Sequence, residues 1–241
     1  ADSYSVRAVR TKCGALRQRY VADEASKSNT GEGRGDAGVE NEDDREVSVK
    51  PVALTRVQGC PLRDASGWVG EAEAQAAETD GIDVRLIVSA NRHESVALAE
   101  EAFQHAVDFQ DRGVVGVDLA GDEIHFPGED FAPVFAAAAQ AGLHITIHAG
   151  ESGPADRVQL AIETLGAERI GHGVRVMEDT TLVDQCRERE IVFEVCPTSN
   201  LHTGMLPTLD AHPLNAMHPA GLRVTLNPAD HSISQVHLSN A

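Results

Sequence analysis

Cysteine, aromatic and basic residues are all scarce in this chain of 241 residues. Its four cysteines stand at wide, irregular spacings without a Cys-x-x-Cys pair, which excludes a small disulfide scaffold and predicts reduced thiols in a cytoplasmic protein. No apolar run reaches the roughly 18 residues of a membrane span, so we expect no membrane partner. The first residues, Ala-Asp-Ser-Tyr-Ser, lack the apolar core of a signal peptide.

Basic residues are far fewer than acidic ones: 20 Lys and Arg against 38 Asp and Glu give a net charge of −18. Binding to a nucleic-acid backbone needs clustered Lys and Arg, so nucleic acid is excluded as the expected partner. A small neutral ligand such as a nucleoside stays compatible with this charge. Solubility is the plainest explanation of the surplus acid.

The chain divides into two parts that differ in apolar pattern. Residues 22–46 are polar, acidic and rich in glycine, which predicts a loop or disorder, although a strand can form between Val47 and Val57. We therefore expect an atypical segment over residues 1–68 and an α/β domain over residues 69–241.

The second part alternates short Val- and Ile-rich runs with segments of helical period. Val96, Ala99 and Phe103 follow an i, i+3, i+4 rhythm, as do Val158, Ala161 and Ile162, and Gly142 and Gly166 stand where helix ends belong. This alternation predicts βα units and a parallel sheet covered on both faces. Six strands are predicted: Val84–Ser89, Val114–Ala120, His144–His148, Arg169–Val174, Ile191–Cys196 and Arg223–Asn227.

Polar residues follow almost every predicted strand. They are Arg92-His93, residues 118–123, residues 148–151, His172, residues 198–200 and Asp230. In a (β/α)8 barrel these strand ends converge on one active site, and no Gly-x-Gly-x-x-Gly supports a dinucleotide-binding sheet instead. We therefore predict a (β/α)8 TIM-type barrel over an open doubly wound sheet. The barrel is expected to be incomplete, because its first strands and a C-terminal helical segment are not recognisable.

His148 and Glu151 form the first candidate site. A strand-end histidine and a carboxylate three residues later can supply a metal ligand and a proton carrier to one site, where zinc would acidify a bound water. The alternative is that Glu151 opens the next helix and is stabilised by its dipole. His172, between two glycines, is predicted to be open to a ligand and able to orient or deprotonate water, although a lone strand histidine is more often a core residue.

Three further strand ends carry candidate residues. Gly121 permits close approach to a flat ligand and, with Asp118, is predicted to bind substrate, while capping is the usual role of such acids. Asp230 and His231 suit a ligand, a general base or an ordinary turn. Cys196 has no basic partner in sequence and is not expected to be a nucleophile.

Five collinear motifs together resemble the adenosine deaminase family, over about residues 69–237. They are LAGDE at 119–123, HAGE at 148–151, RIGHGV at 169–174, CPTSN at 196–200 and HP at 212–213. The resemblance implies a (β/α)8 barrel that hydrolyses adenosine or deoxyadenosine to inosine and ammonia at one Zn²⁺.

The same resemblance implies roles for residues of this chain. His148 would be a zinc ligand, Glu151 would protonate the purine N1, and His172 would position and help deprotonate the attacking water. Gly121 would supply a backbone contact to the purine, and Asp230 would orient the water. A glutamate that moves protons without binding the metal is usual in zinc deaminases.

The chain departs from the family pattern at the metal and in length. The family's His-x-His pair has no counterpart, since no histidine precedes His93, and Ala229 stands where the family has a ligand aspartate. Either residues 1–68 supply replacement strands, or the chain is a piece of a barrel, or its ends derive from a disturbed reading frame. The composition change near residue 68 favours the last two. The functional alternatives are a non-catalytic nucleoside-binding or truncated homologue and an adenine deaminase.

Overall fold

The computed structural model describes residues 3–10, 16–23, 52–58 and 83–229 of the chain. The first of these ranges are strands β1 (Ser3–Arg10) and β2 (Leu16–Asp23), which pair antiparallel, and β3 (Val52–Gln58). Residues 24–51, which hold most of the stretch predicted to be disordered, and the predicted domain boundary at residue 68 lie outside the described residues. Both stay predictions.

A seven-stranded parallel sheet in sequential order forms the body of the protein. After β3 its strands are β4 (Asp83–Asn91), β5 (Val114–Ala120), β6 (His144–Ala149), β7 (Arg169–His172), β8 (Val192–Val195) and β9 (Arg223–Leu226). All six predicted strands are present. β3 lies within residues 1–68, so that segment contributes a strand to the sheet.

Helices follow the strands in the βα order that the sequence predicts. They are α1 (Val96–Asp108), α2 (Ala132–Gln140), α3 (Ala155–Glu163), α4 (Thr180–Glu188), α5 (Pro197–His202) and α6 (Leu214–Met217). Ser95 caps α1 by accepting the backbone N–H of Leu98, and Asp179 caps α4 by accepting those of Thr181 and Leu182. None of the helices in the described ranges is long and apolar enough to cross a membrane.

The core lies between the sheet and these helices. Val117, Ile147, Ile170 and Phe193 are fully buried on successive strands, and the predicted helical positions Ala99, Phe103, Val158 and Ala161 are buried against the sheet. The rings of Phe103 and Phe135 join α1 to α2 edge to face, with centroids 5.0 Å apart. Gly142 and Gly166, with φ of 89° and 73°, follow helices as predicted.

The prediction that both faces of every strand are covered is wrong for β9. Arg223 is exposed and Leu226 is 46% exposed. β9 is the last strand of the sheet and pairs only with β8 among the described strands. No pairing joins β9 to β3 within the described residues. The sheet is therefore an open α/β arrangement of βα units, an incomplete barrel.

Candidate active site

The polar residues of the site lie at the carboxyl ends of neighbouring parallel strands. Asp118, His148 and His172 lie at or near the ends of β5, β6 and β7. β6 pairs with both of its neighbours, with His148 opposite Gly171. Because neighbouring parallel strands end at the same edge, three side chains that are far apart in sequence come together there.

His148 is held by a buried carboxylate. Its Nδ1 lies 2.9 Å from Asp118 Oδ1, and the other carboxylate oxygen accepts a hydrogen bond of 2.6 Å from Ser89 Oγ. A carboxylate at Nδ1 places the proton on that nitrogen and directs Nε2 toward a metal, the usual orientation of a ligand histidine. The substrate contact predicted for Asp118 stays a prediction, and its full burial favours the orienting role.

Arg92 ties the ends of β4 and β6 together from inside the protein. It is 3% exposed, and its guanidinium donates to the carbonyl oxygens of His148 (2.6 Å), Phe126 (3.3 Å) and Pro127. Burial lowers the pKa of Arg92, and the negative charge of Glu123 opposes that shift. Its Nε is buried without a hydrogen-bond partner among the described residues.

Glu123 organises the turn that carries Glu151. The Glu123 carboxylate, 2% exposed, accepts the backbone N–H groups of Gly150, Glu151, Ser152 and Gly153 at 2.7–2.8 Å. The sequence predicts that this acid orients side chains or caps the following helix, and capping is the more usual role. The structure shows that it caps the turn after β6, 27 residues or more away, rather than a helix that follows it.

Glu151 projects from this turn toward the end of β7. Its Oε1 lies 3.4 Å from His172 Nδ1 and 3.4 Å from Asn200 Nδ2. Burial raises the pKa of Glu151, the positive influence of His148 opposes this, and the charge of Glu123 adds to it. Since α3 begins at Ala155, Glu151 is not in the first turn of a helix, and the helix-opening alternative is wrong. A carboxyl group that keeps its proton to higher pH can act as an acid.

His172 lies in a sharp turn, as its flanking glycines predict, and is largely buried. Its φ is 63°, and the residue is only 4% exposed. The glycines allow close packing instead of exposure: a Cβ on Gly171 would be 3.1 Å from the His148 ring, and one on Gly173 would be 2.3 Å from the Phe193 ring. The imidazoles of His148 and His172 are 5.4 Å apart between centroids.

Asn200 and His212 are buried and extend the site beyond His172. The sequence alone predicted no role for either residue. Asn200 is fully buried in α5, with Nδ2 3.1 Å from His172 Nδ1 and Oδ1 3.3 Å from His212 Nε2. Burial lowers the pKa of His212. Asn200 was marked by its place among the polar strand-end residues and in the CPTSN motif, and His212 by the HP motif.

The loop after β5 is a surface turn. Gly121 has a φ of 102°, a backbone conformation that favours glycine, and the predicted purine contact stays a prediction. Asp122 accepts the backbone N–H groups of Ile124 and His125, and the hydrogen bond from the His125 ring lowers the pKa of Asp122. The His125 side chain is 74% exposed.

Asp230 and His231 lie outside the described residues, so their roles stay predictions. Cys196 is buried, with Sγ 3.4 Å from the carbonyl oxygen of Glu194. Among the described residues a second buried thiol, Cys186, has a pKa raised to about 11 by burial. Neither environment activates a thiol as a nucleophile.

The described residues do not fit a catalytic zinc ion. Such a site needs about three protein ligands. Over residues 85–229, no group of three or more His, Cys, Asp or Glu side chains is arranged to hold a metal. His148 is oriented as a ligand, but Ala229 offers only a methyl group at the position of the family's aspartate.

Solved structures with a similar fold define the class of the protein. An adenine deaminase from Arthrobacter aurescens matches with a TM-score of 0.70 and 32% identity, over 76% of this chain and 55% of that one. An amidohydrolase from Burkholderia ambifaria, solved with bound Zn, matches with a TM-score of 0.70 and 28% identity, over 79% and 55%. Arabidopsis ADAL complexed with GMP has a TM-score of 0.61 and 30% identity, over 66% and 46%. The fold is that of barrel-type deaminases.

Sequence comparison then identifies the family. The adenosine deaminase family model matches residues 43–241. The adenosine deaminase of Edwardsiella ictaluri is 35% identical over 193 residues, 80% of this chain and 58% of that protein. The chain belongs to the adenosine deaminase family. It spans a little over half the length of that relative. The match of the family model begins at residue 43, before residue 69, where the predicted resemblance begins.

Proposed function

We propose that this protein hydrolyses adenosine or deoxyadenosine to inosine and ammonia at the carboxyl ends of β5 to β8. The observation that carries the proposal is the position of Glu151, a carboxyl group with a raised pKa that lies 3.4 Å from His172 in the same site as His148. A purine base is the ligand that this arrangement suits, since deamination needs both a proton donor and an oriented water. A cytoplasmic location and a role in purine metabolism belong to the same proposal through kinship.

Glu151 would act as the proton carrier. Protonation of the purine N1 makes C6 electrophilic, a water oxygen then bonds to C6, and the C6–N bond breaks with release of ammonia. The oxygen of the water becomes the C6 oxygen of inosine, and its protons end on N1 and the ammonia. His172 would position the attacking oxygen, and Asp230, by resemblance, would orient it further.

The remaining site residues would bind and hold. The backbone of Gly121 would contact the purine, and Asp118 would keep His148 in place through the 2.9 Å contact with Nδ1. Zinc is the expected cofactor by kinship, and when bound it would make water more acidic. Because a single ligand among the described residues is too few for a catalytic zinc, we assign no step to the metal.

Two other functions follow from specific observations. The 32% identity to an adenine deaminase favours a free base as substrate. The shortage of described metal ligands favours a non-catalytic homologue that binds a purine nucleoside.

A substrate panel tests these choices. Purified protein is incubated with adenosine, deoxyadenosine or adenine, with and without excess Zn²⁺, and the products are separated by chromatography. We expect inosine or deoxyinosine from the nucleosides. Hypoxanthine from adenine alone would support an adenine deaminase, and adenosine binding without any product would support the non-catalytic homologue.

A further inference from the structure

Asn200 and His212 form a chain of hydrogen bonds that ends at the residues of the proposed active site. Both are buried, at 0% and 5% exposure, and neither has a part in the reaction described above. Buried polar side chains are retained where their hydrogen bonds are satisfied, and these two satisfy one another. The backbone amide of Leu214 sets the donor and the acceptor of each hydrogen bond in the series, beginning at His212.

The backbone amide of Leu214 fixes the first bond. An amide N–H can only donate, and it lies 3.0 Å from His212 Nδ1, which must therefore accept. A neutral imidazole that accepts at Nδ1 carries its proton on Nε2. Burial lowers the pKa of His212 and so favours this neutral form. His212 Nε2–H then donates to Asn200 Oδ1 over 3.3 Å.

The orientation of the Asn200 amide follows. With Oδ1 accepting from His212, the amide nitrogen faces the site, 3.1 Å from His172 Nδ1 and 3.4 Å from Glu151 Oε1. The NH2 group has two hydrogens and can only donate, so it can serve both contacts. At His172 Nδ1 this 3.1 Å contact is shorter than the 3.4 Å to Glu151 Oε1, so we take Nδ1 as the acceptor from Asn200, which leaves the ring proton on Nε2.

We propose that Asn200 and His212 are positioning residues that hold His172 as the Nε2–H tautomer. In this tautomer Nε2 has no lone pair for a proton, so His172 donates a hydrogen bond to the attacking oxygen and does not take its proton. The catalytic part of this inference rests on the proposed function, whereas the tautomer does not.

Nitrogen-15 NMR of histidine-labelled protein tests the tautomer directly, with His172→Gln used to assign the ring signals. We expect an unprotonated Nδ1 and a protonated Nε2 for His172 in the wild type. Asn200→Asp replaces the donor with an acceptor of the same shape, so the proton should move to Nδ1. A wild-type His172 with a protonated Nδ1 would overturn the proposal, as would an unchanged tautomer in a folded Asn200→Asp variant.

Two variants of His212 test the same proposal if Asn200→Asp does not fold. His212→Gln retains a donor toward Asn200 and should keep the Nε2–H tautomer, whereas His212→Leu removes the donor and should give a mixture. His202→Gln, at an exposed position, is the control. Identical His172 spectra for both His212 variants would contradict the chain of bonds.

Kinetics separate the inference from the proposed function. If inosine forms, His212→Leu should lower kcat by about 10-fold or more with little change in KM, and His212→Gln should restore most of it. The predicted tautomer without any turnover would leave the positioning inference standing and reject the proposed function. Turnover with the proton of His172 on Nδ1 would support the proposed function and reject the positioning inference.

Discussion

Replacement of Glu123 by Gln should destabilise the protein and loosen the turn that carries Glu151. The Glu123 carboxylate accepts four backbone N–H groups, from Gly150, Glu151, Ser152 and Gly153. Oε1 accepts three of them and Oε2 accepts that of Gly150. A glutamine keeps one oxygen for the three but turns an NH2 group toward the Gly150 N–H, which then lacks an acceptor.

The size of the effect follows from the number of bonds. Hydrogen bonds to a charged group contribute about 1.5–3 kcal/mol each and neutral ones about 0.5–1.5, while an unsatisfied buried donor costs about 1–3 kcal/mol. The loss of the carboxylate charge also leaves the buried guanidinium of Arg92 less well compensated. We expect a loss of about 3–5 kcal/mol in the free energy of unfolding, or a Tm lower by about 6–20 °C.

Thermal and urea unfolding followed by circular dichroism measure this loss. Glu101→Gln makes the same chemical change at an exposed position on α1 and should alter Tm little. Because the charge of Glu123 raises the pKa of Glu151, the variant should also lower that pKa. If Glu151 acts as an acid, the high-pH loss of activity then moves to lower pH. Equal Tm values for the two variants would refute the argument.

Three further predictions concern packing, pH and metal. Gly173→Ala should lower the free energy of unfolding by about 2–5 kcal/mol, since its Cβ would be 2.3 Å from the Phe193 ring at a φ of 64°. Gly166→Ala, with a φ of 73° and open space around it, should lower it by about 1–2 kcal/mol. Equal losses in urea unfolding would contradict the clash. The lowered pKa of His212 makes its contribution to stability full above a pH of about 6.5 and lost as pH falls further, so wild type should lose more stability in acid than His212→Gln. Purified protein should hold less than one zinc per chain by elemental analysis, and one tightly held zinc would show that ligands besides His148 complete the site.

Local patterns were enough to predict most of the strands and helices. The apolar run at Val114–Ala120 is reproduced residue for residue as β5, because a buried strand and its turn signals are adjacent in sequence. β9 shows the limit of such patterns. The run at residues 223–227 predicts a strand, but whether Leu226 is covered depends on a neighbour elsewhere in the chain, and it is half exposed.

The site was predictable only in part for a similar physical reason. His148, Glu151 and His172 stand in motifs whose chemistry is visible in the residues themselves. The partners that orient them act across long separations: Glu123 reaches 27 residues to Gly150, and Asn200 reaches 28 residues to His172. No period or spacing encodes such contacts, and the burial of Arg92 runs against the usual exposure of its type.

Formation of inosine from adenosine by the wild type and by Glu151→Gln tests the central claim most directly. The assay follows the absorbance change of adenosine with Zn²⁺ in excess, and Glu101→Gln serves as the control for the same substitution on the surface. We predict that Glu151→Gln lowers kcat by about 100-fold or more, because an amide cannot carry the proton to N1. Wild-type rates of inosine formation in a folded Glu151→Gln variant would contradict the account.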